Sequence, residues 1–249
     1  MTAVASPPVN QLTANQAGPR RDWKWSQAWE NVLFLHWPVE DGPLVGQLPA
    51  GLEIDRWEGS AWVSIVAFRL ANVRLHGLPP IPLCTDFLEV NVRAYVRHRG
   101  EPGIYFLQMY GDGRIAVAAA RLLTLLPYRY CPMQCRLEGG AWHWRCGASS
   151  AGPAALLAGQ FIAEGHSRRA EAGSLDEWLV ERYAAFVPDG RGRLFRMEVE
   201  HPPWEIARVA LQFSGAECVA EFLGAEALQA PLGHFSRGTE ARLAPLTLA

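Results

Sequence analysis

The chain has 249 residues, of which 49% are hydrophobic and 19% charged, and its formal net charge is −2. This balance is typical of a soluble globular protein with a substantial core, arranged as one large domain or two small ones. A charge so close to zero gives no electrostatic support for nucleic-acid or membrane partners.

The N-terminal residues 1–22 are rich in Pro, Ala, Asn and Gln and have no apolar stretch behind early basic residues. We predict a disordered tail there, not a signal peptide. No run of 18 apolar residues predicts a membrane span. The five cysteines are an odd number without the spacing of a disulfide framework, which favours a reduced, cytoplasmic setting.

The first predicted elements are a helix, a strand and a loop. Trp25, Trp29, Val32 and Leu33 fall at helical spacing, with Ser26 as the N-cap. Residues 61–75 are apolar at both odd and even positions, as in a central strand that is covered on both faces. The prolines that follow in residues 76–83 predict an ordered loop that cannot join a sheet.

Residues 83–133 have the most informative pattern in the chain. Four polar side chains, Glu89, Asn91, Arg93 and Tyr95, alternate with apolar ones, so one face of this predicted strand is polar and the other apolar. A turn at 101–104 joins it to a second strand over 103–110.

A short helix is predicted over 113–125, capped by Asp112. Its apolar stripe should face the core. The stripe consists of Ile115, Ala118, Ala119, Leu122 and Leu126.

The C-terminal half contains several clear signals and one ambiguous region. Gly139-Gly140 predicts a hairpin turn. The region 147–172 fits either a domain boundary or a long strand. Ser174 and Glu177 form a capping box at the start of a helix over 174–186.

Further strands are predicted before Pro202-Pro203 and over 233–246, while 204–213 fits a strand or a helix. The order of these elements favours an α+β protein with a dominant antiparallel sheet that is closed or strongly curled.

Three groups of residues are candidate sites, each with a structural alternative. The polar face of the 89–95 strand fits either a solvated surface or the interior of a barrel, and alternation alone cannot decide. Cys131, Cys135, His143 and Cys146 approach zinc-ligand spacing, but residues three apart on a strand point to opposite sides, which favours buried free cysteines. His201 fits a general base or a corner residue packed by Trp204.

Several strings along the chain together resemble one family. They are WENVLFLHWPV, LPAGLEID, AWVSIVAF, FLEVNVRAYV, PGIYFLQM, AAARLLTLLPYRY, GSLDEWLVERYAAF and VEHPPW. The chain from about Trp25 onward resembles the YqjF-like family of uncharacterised proteins, a domain-of-unknown-function group in the acetoacetate decarboxylase-like superfamily. The resemblance implies a single domain over 23–249, built as a cone-like, mostly antiparallel closed β-barrel with flanking helices and an interior cavity.

The superfamily resemblance also bears on chemistry. Acetoacetate decarboxylases have a glutamate at the position that Glu89 occupies, and two lysines where this chain has Tyr128 and Arg129. A phenol and a guanidinium cannot form an imine, and the only lysine of the chain, Lys24, lies outside that motif. The resemblance therefore argues against Schiff-base decarboxylation.

The resemblance nonetheless implies an interior pocket for a small polar or carboxylated molecule. We expect no cofactor and no metal, and a homo-oligomer is left open. Two alternatives remain: an acid/base enzyme (hydratase, isomerase or lyase) that uses Glu89 and Tyr128, and a structural or interaction protein with no ligand. The pocket is expected to be lined by Glu89, Asn91, Arg93, Tyr105, Arg121, Tyr128 and Arg129.

Overall fold

The structure is a computed structural model that describes residues 23–82, 84–147, 155–220, 222 and 230–249. Its helices are α1 (Asp41–Val45), α2 (Arg114–Leu123) and α3 (Leu175–Val180), with a 3₁₀ turn at Glu217–Val219. The strands are β1 (Trp25–Val39), β2 (Glu53–Ile54), β3 (Ala61–Leu75), β4 (Asp86–His98), β5 (Glu101–Gly111), β6 (Tyr128–Tyr130), β7 (Met133–Glu138), β8 (Ala141–Cys146), β9 (Leu157–Arg169), β10 (Ala184–Pro188), β11 (Leu194–Glu200), β12 (Glu205–Gly215), β13 (Leu232–Leu243) and β14 (Thr247–Leu248).

The strands form one mixed, mostly antiparallel sheet, as the sequence predicts. Its main path runs β14-β11-β10-β5-β4-β3-β1-β13-β12-β9-β8-β7. Only β10 with β5 and β5 with β6 pair in parallel among the described strands. Because β11 also pairs with β13, following the pairings from β11 through β10, β5, β4, β3, β1 and β13 leads back to β11. Seven strands thus form a ring of hydrogen-bonded neighbours.

The two faces of this ring carry different apolar clusters. One cluster takes side chains from all seven strands, together with Trp178, Leu179 and Val180 of α3. We call the face that carries it the inner face. The opposite, outer face of β1, β3, β4 and β5 packs against β7, β8, β9 and α1 in a second cluster. Residues 61–68 of β3 contribute to both clusters, so β3 is a central strand covered on both sides, as predicted.

The predicted N-terminal helix is wrong, because residues 25–39 form the long strand β1. Trp25 and Trp29 lie on the inner face, and then a bulge near Asn31 (φ 53°) shifts the alternation so that Val32 follows them there. The bulge therefore produces inward positions at i, i+4 and i+7, the spacing of a helix. Ser26 caps nothing and accepts a hydrogen bond from Arg74.

Helix α2 is where the sequence predicts it, but the predicted buried face and the predicted N-cap are wrong. Ala116 and Val117 are buried, whereas Leu122 is 85% exposed. Arg114 and Arg121 give the helix a polar side, but the helical period that they produce does not indicate the residues that pack on the core. Asp112 does not cap it, because its carboxylate accepts the amide of Leu88 at 2.7 Å and the N-cap position falls on Gly113.

The sequence predicts two β-turns, of which one is confirmed and the other is displaced along the chain. The Gly139-Gly140 turn is confirmed, with both φ angles positive. The turn between β4 and β5 lies at Arg99-Gly100, also with positive φ, and not at 101–104, where β5 already pairs.

The predicted N-cap of α3 is confirmed, since Ser174 accepts the amide of Glu177, but the Glu177 carboxylate accepts the amide of Gly173 and not that of Ser174, so the capping box is only half formed. Its helix, however, ends at Val180 and not at 186. The Arg182 side chain donates to the carbonyl of Trp178 at that helix end, and residues 184–188 join the sheet as β10.

The ambiguous region 147–172 contributes a long strand to the same sheet. Strand β9 pairs with β8 on one side and β12 on the other. The strands predicted before Pro202-Pro203 and over 233–246 are confirmed as β11 and β13, and 204–213 is a strand, β12. The predicted tail 1–22 and residues 148–154 lie outside the described residues. In the described part of the chain, no helix is long and apolar enough to cross a membrane.

The orientation of α2 leads to a matched pair of variants. We expect Val117→Ala to lower the free energy of unfolding by about 2 kcal/mol, because it empties a buried site. Leu122→Ala should change it by less than about 0.5 kcal/mol, since that side chain is in solvent. Urea unfolding of both variants checks this, and an equal loss in both would contradict the orientation of α2.

Candidate functional site

The alternation in β4 decides the first question that the sequence left open. Tyr95 belongs to the inner cluster, while Val90, Val92, Ala94 and Val96 belong to the outer one. Side chains two apart share a face, so residues 89, 91 and 93 also point inward. Glu89, Asn91 and Arg93 are indeed buried. The polar face of the strand is therefore turned to the protein interior and not to solvent.

Glu89 is the centre of a buried hydrogen-bonded group. The Tyr128 hydroxyl donates to its Oε2 at 2.7 Å, and the Asn91 amide donates to its Oε1 at 3.3 Å. The carboxyl is only 2% exposed. Burial raises the pKa of Glu89 to about 7, although the hydrogen bonds from Tyr128 and Asn91 act in the opposite direction. This carboxyl therefore gains and loses its proton close to neutral pH.

Tyr128 reaches Glu89 because β6 pairs in parallel with the end of β5. Met109 lies opposite Tyr128 in that register. Met109, Val117 of α2 and Tyr128 then pack together in a small apolar cluster. Burial, followed by the neighbouring Glu89 charge, raises the pKa of Tyr128 well above its usual value, so the phenol stays protonated and acts as a donor.

Arg93 is a buried cation without a carboxylate partner among the described residues. Its Nη2 donates to the Leu179 carbonyl of α3 at 3.2 Å. The guanidinium carbon lies 5.7 Å from the ring centres of both Phe34 and Tyr95. The Nε of Arg93 and the Oδ1 of Asn91 are both buried without a hydrogen-bond partner in the described part of the structure. A buried guanidinium in this state is a strong candidate to receive an anion.

A second buried polar group, which the sequence did not suggest, lies at the Tyr95 end of the strand. The Tyr95 hydroxyl donates to the Leu179 carbonyl at 2.8 Å and contacts Ser64 Oγ at 2.6 Å. Ser64 Oγ in turn lies 2.6 Å from His36 Nδ1. Burial and then the nearby His234 lower the pKa of His36 well below its usual value. Ser64 occupies an inward position of β3, which alternation alone could have indicated.

The structure corrects the predicted grouping for three residues. Tyr105 pairs with Ala94, a residue of the outer cluster, so its ring packs on the outer face away from Glu89. Arg121 and Arg129 are exposed. Neighbouring residues of a strand point to opposite sides, so the orientation of β6 that places Tyr128 inward places Arg129 outward. The inward group is therefore Glu89, Asn91, Arg93 and Tyr128, together with Tyr95.

For His201 and the cysteines, the structure shows the packed corner residue and the free cysteines that were given as alternatives to a general base and a zinc site. His201 is buried, contacts Trp204 at a ring distance of 5.1 Å and stacks on Tyr183 at 4.7 Å. Burial lowers its pKa. Of the four residues considered for zinc, Cys131 and Cys146 approach each other, with sulfur atoms 3.5 Å apart. No group of three or more His, Cys, Asp or Glu side chains with metal-binding geometry is found within the described ranges.

A surface groove lies away from these residues. It is an open groove of about 510 Å³ beside α1 and β2, lined by residues 45, 48–54 and 56. None of the predicted site residues lines it. The candidate site rests on the chemistry of the buried polar group and not on a large preformed cavity.

Comparison with solved structures defines the class of fold. The chain is similar to an enduracididine biosynthesis enzyme, MppR, in complex with pyruvate, at 13% identity and a TM-score of 0.64, covering 98% of each chain. It is also similar to an acetoacetate decarboxylase-like enzyme from Sphingomonas wittichii RW1, at 14% identity and a TM-score of 0.63, covering 92% of this chain and 94% of the other. The fold is acetoacetate decarboxylase-like.

Sequence comparison then identifies the family. The family model DUF2071, described as an uncharacterized conserved protein, matches residues 26–240. The uncharacterized protein YqjF of Bacillus subtilis (strain 168) is 36% identical over 200 residues, covering 80% of this chain and 82% of that protein. The chain belongs to the DUF2071 family, which confirms the resemblance seen in the sequence.

The raised pKa of Glu89 predicts a pH dependence of stability. Because the folded-state pKa is about 7 and the ordinary value is 4.5, the neutral carboxyl is favoured in the folded protein. Its stabilising contribution, about 3 kcal/mol, is complete below about pH 4.5 and is lost as the pH rises through about 7.

Glu89→Gln cannot titrate, so the variant should lose this part of the pH dependence. In urea unfolding at pH 5 and pH 8, the wild-type protein should lose about 2 to 3 kcal/mol more than the variant between the two conditions. Glu171→Gln, which changes an exposed carboxyl, is the control and should behave like the wild type. Identical pH profiles for wild type and Glu89→Gln would show that Glu89 titrates normally.

Proposed function

We propose that residues 23–249 form one domain in which the ring of seven strands is a closed, cone-like barrel, and that its interior binds a small polar or carboxylated molecule. The observation that carries this proposal is Arg93, a buried guanidinium with no acidic partner among the described residues and an Nε that donates to nothing there. A carboxylate is the simplest ligand that would compensate that charge.

The rest of the inward group suggests how the ligand would be oriented. Asn91 offers a free carbonyl oxygen midway between Arg93 and Glu89 along β4. Such an acceptor suits a hydroxyl or amino group of the ligand. Glu89 and Arg93 are four positions apart on the strand, which places their Cα atoms about 13 Å apart. A ligand that contacts both ends is therefore longer than a three-carbon acid, unless the two side chains lean together over Asn91.

Imine chemistry is not part of the proposal. The only lysine of the chain, Lys24, is exposed, and its ammonium lies 5.5 Å from the ring centre of Trp25. The side chains that hydrogen-bond Glu89 are the Tyr128 phenol and the Asn91 amide, and neither can form an imine. The pyruvate of the MppR complex is a ligand of that enzyme, and for this chain it serves only as a first compound to test.

The binding proposal predicts a specific pattern of thermal shifts. We expect at least one acid from a panel of pyruvate and hydroxy- or keto-acids of four to six carbons to raise the Tm. At about 100 times its Kd, the rise should be about 5 to 10 °C. Arg93→Met should abolish the shift and Glu89→Gln should reduce it.

Arg129→Met is the matched control, because this arginine is exposed and its loss should leave the shift intact. Arg93→Met should also fold well, since no ion pair of a described residue is broken. An unchanged shift in both Arg93→Met and Glu89→Gln would refute the proposed site. A ligand shift lost in Arg129→Met but kept in Arg93→Met would move the site to the surface.

A second function, acid/base catalysis, is favoured by one further observation. Glu89 has a pKa of about 7 and is hydrogen-bonded to a protonated phenol, which is a suitable pair for moving a proton to and from carbon or oxygen. Binding and catalysis can be separated with the acid that gives the thermal shift.

Proton NMR in D₂O should reveal exchange of a carbon-bound hydrogen of that acid if Glu89 acts as a base. Glu89→Gln should slow the exchange by at least about 100-fold, while Tyr128→Phe should slow it less, because the carboxyl remains. Saturable binding without exchange or turnover would leave the protein as a binding module.

A further inference from the structure

Two buried thiols lie close together on the outer side of the sheet. Cys131 follows β6 and Cys146 ends β8, and their sulfur atoms are 3.5 Å apart, with the Cys146 thiol donating to Cys131. The pairing of β7 with β8 and the hydrogen bond from the Gly147 amide to the Pro132 carbonyl at 3.1 Å hold the two chain segments side by side. Both cysteines are free.

We propose that Cys131 and Cys146 form a reversible intramolecular disulfide when the protein meets hydrogen peroxide. A disulfide has a sulfur–sulfur distance of about 2.05 Å, so the two sulfur atoms must approach each other by about 1.5 Å. Small rotations of two side chains on adjacent, hydrogen-bonded segments can supply that movement. The site lies apart from the inward polar group and does not depend on the proposed ligand.

The chemistry proceeds in two balanced steps. The Cys131 thiolate attacks one peroxide oxygen, the O–O bond breaks, and Cys131 sulfenic acid and hydroxide are formed. The Cys146 thiol then attacks the sulfenic sulfur, the S–O bond breaks, and water leaves with the thiol proton. Overall, two thiols are oxidised to one disulfide and one peroxide is reduced to two waters.

The surroundings of the two sulfur atoms assign their roles. Cys131 is 6% exposed, whereas Cys146 is fully buried, so Cys131 is the thiol nearer to solvent. The hydrogen bond from Cys146 lowers the pKa of Cys131, and the same bond, together with burial, raises the pKa of Cys146. A thiolate near the surface is the group that peroxide attacks first. Cys131 is thus the oxidised residue and Cys146 the resolving one.

The disulfide would constrain the segment that carries Tyr128. Cys131 lies three residues after Tyr128 in the chain, and its amide donates to the carbonyl of Gly111 at 3.0 Å. The bond would connect the end of β6 covalently to the end of β8 and enclose the β7–β8 hairpin in a closed loop. Closing a loop of this length restricts the unfolded chain, so the oxidised protein should be the more stable form.

The wild-type protein provides the first test. After full reduction, the protein is treated with hydrogen peroxide, unfolded in a thiol-blocking reagent and digested without reductant. Mass spectrometry should find the peptides of Cys131 and Cys146 joined with the loss of two hydrogen atoms, and dithiothreitol should separate them. The Tm of the oxidised form should be higher by about 5 °C. Absence of this link, or a dominant link from Cys131 to the buried Cys218, would overturn the proposal.

Cysteine variants test the order of the steps. In Cys146→Ser the sulfenic acid has no resolving thiol, so dimedone should label Cys131 after peroxide treatment. Cys84→Ser is the control, because Cys84 is a half-buried free thiol in another segment, and this variant should form the disulfide like the wild type. Dimedone labelling of Cys84 equal to or above that of Cys131 in Cys146→Ser would show that Cys131 is not the reactive thiol.

Discussion

The alternation of β4 sends four polar side chains into a largely apolar interior, and β6 and α3 supply hydrogen-bond partners to three of them. An unpaired polar group in such surroundings costs more than most single contacts contribute. Glu89 is satisfied by Tyr128, which a short parallel strand carries in after α2. Tyr95 and Arg93 both donate to the carbonyl of Leu179 at the end of α3. Strand β6 and helix α3, which are distant in sequence, thus both supply hydrogen-bond partners to the polar side chains of β4.

Two buried arginines flank the ring of Tyr95, and their surroundings differ in one respect. The Arg182 guanidinium lies 5.1 Å from that ring and forms a 2.7 Å ion pair with the buried Asp55, whose other oxygen accepts from Arg97. Asp55 is therefore fully engaged and does not partner Arg93. The charge of Arg182 is compensated by the protein itself, which is the arrangement expected of a structural residue. The charge of Arg93 has no ion pair among the described residues, and this contrast is the reason why we propose a binding role for Arg93 and not for Arg182.

The sequence predicted those features that depend on local chemistry. Alternation identified the face shared by Glu89 and Arg93, and paired glycines identified the β7–β8 turn. Sequence patterns failed where a single residue shifts the alternation of a strand, and where packing instead of the helical period sets the buried face of a helix. The bulge at Asn31 gave a strand the apparent spacing of a helix, and the buried face of α2 is set by packing against Tyr128, which differs from the face that the helical period indicates. Whether the polar face of β4 met solvent or the interior depended on long-range closure of the ring, which local patterns do not encode.

The geometry of β6 limits the chemistry that this family member can perform. From the sequence resemblance we predicted that Tyr128 and Arg129 occupy the positions of two lysines, and adjacent strand residues cannot both face Glu89. Only Tyr128 is buried against it, and Arg129 is in solvent. The inward position thus holds a phenol that donates a hydrogen bond and offers no amine. No imine can form at that position, and the carboxyl of Glu89, with a pKa of about 7, can donate or accept a proton at neutral pH. If the proposed anion binds there, Glu89 is the group that would exchange a proton with it, and Tyr128 would donate a hydrogen bond instead of forming an imine.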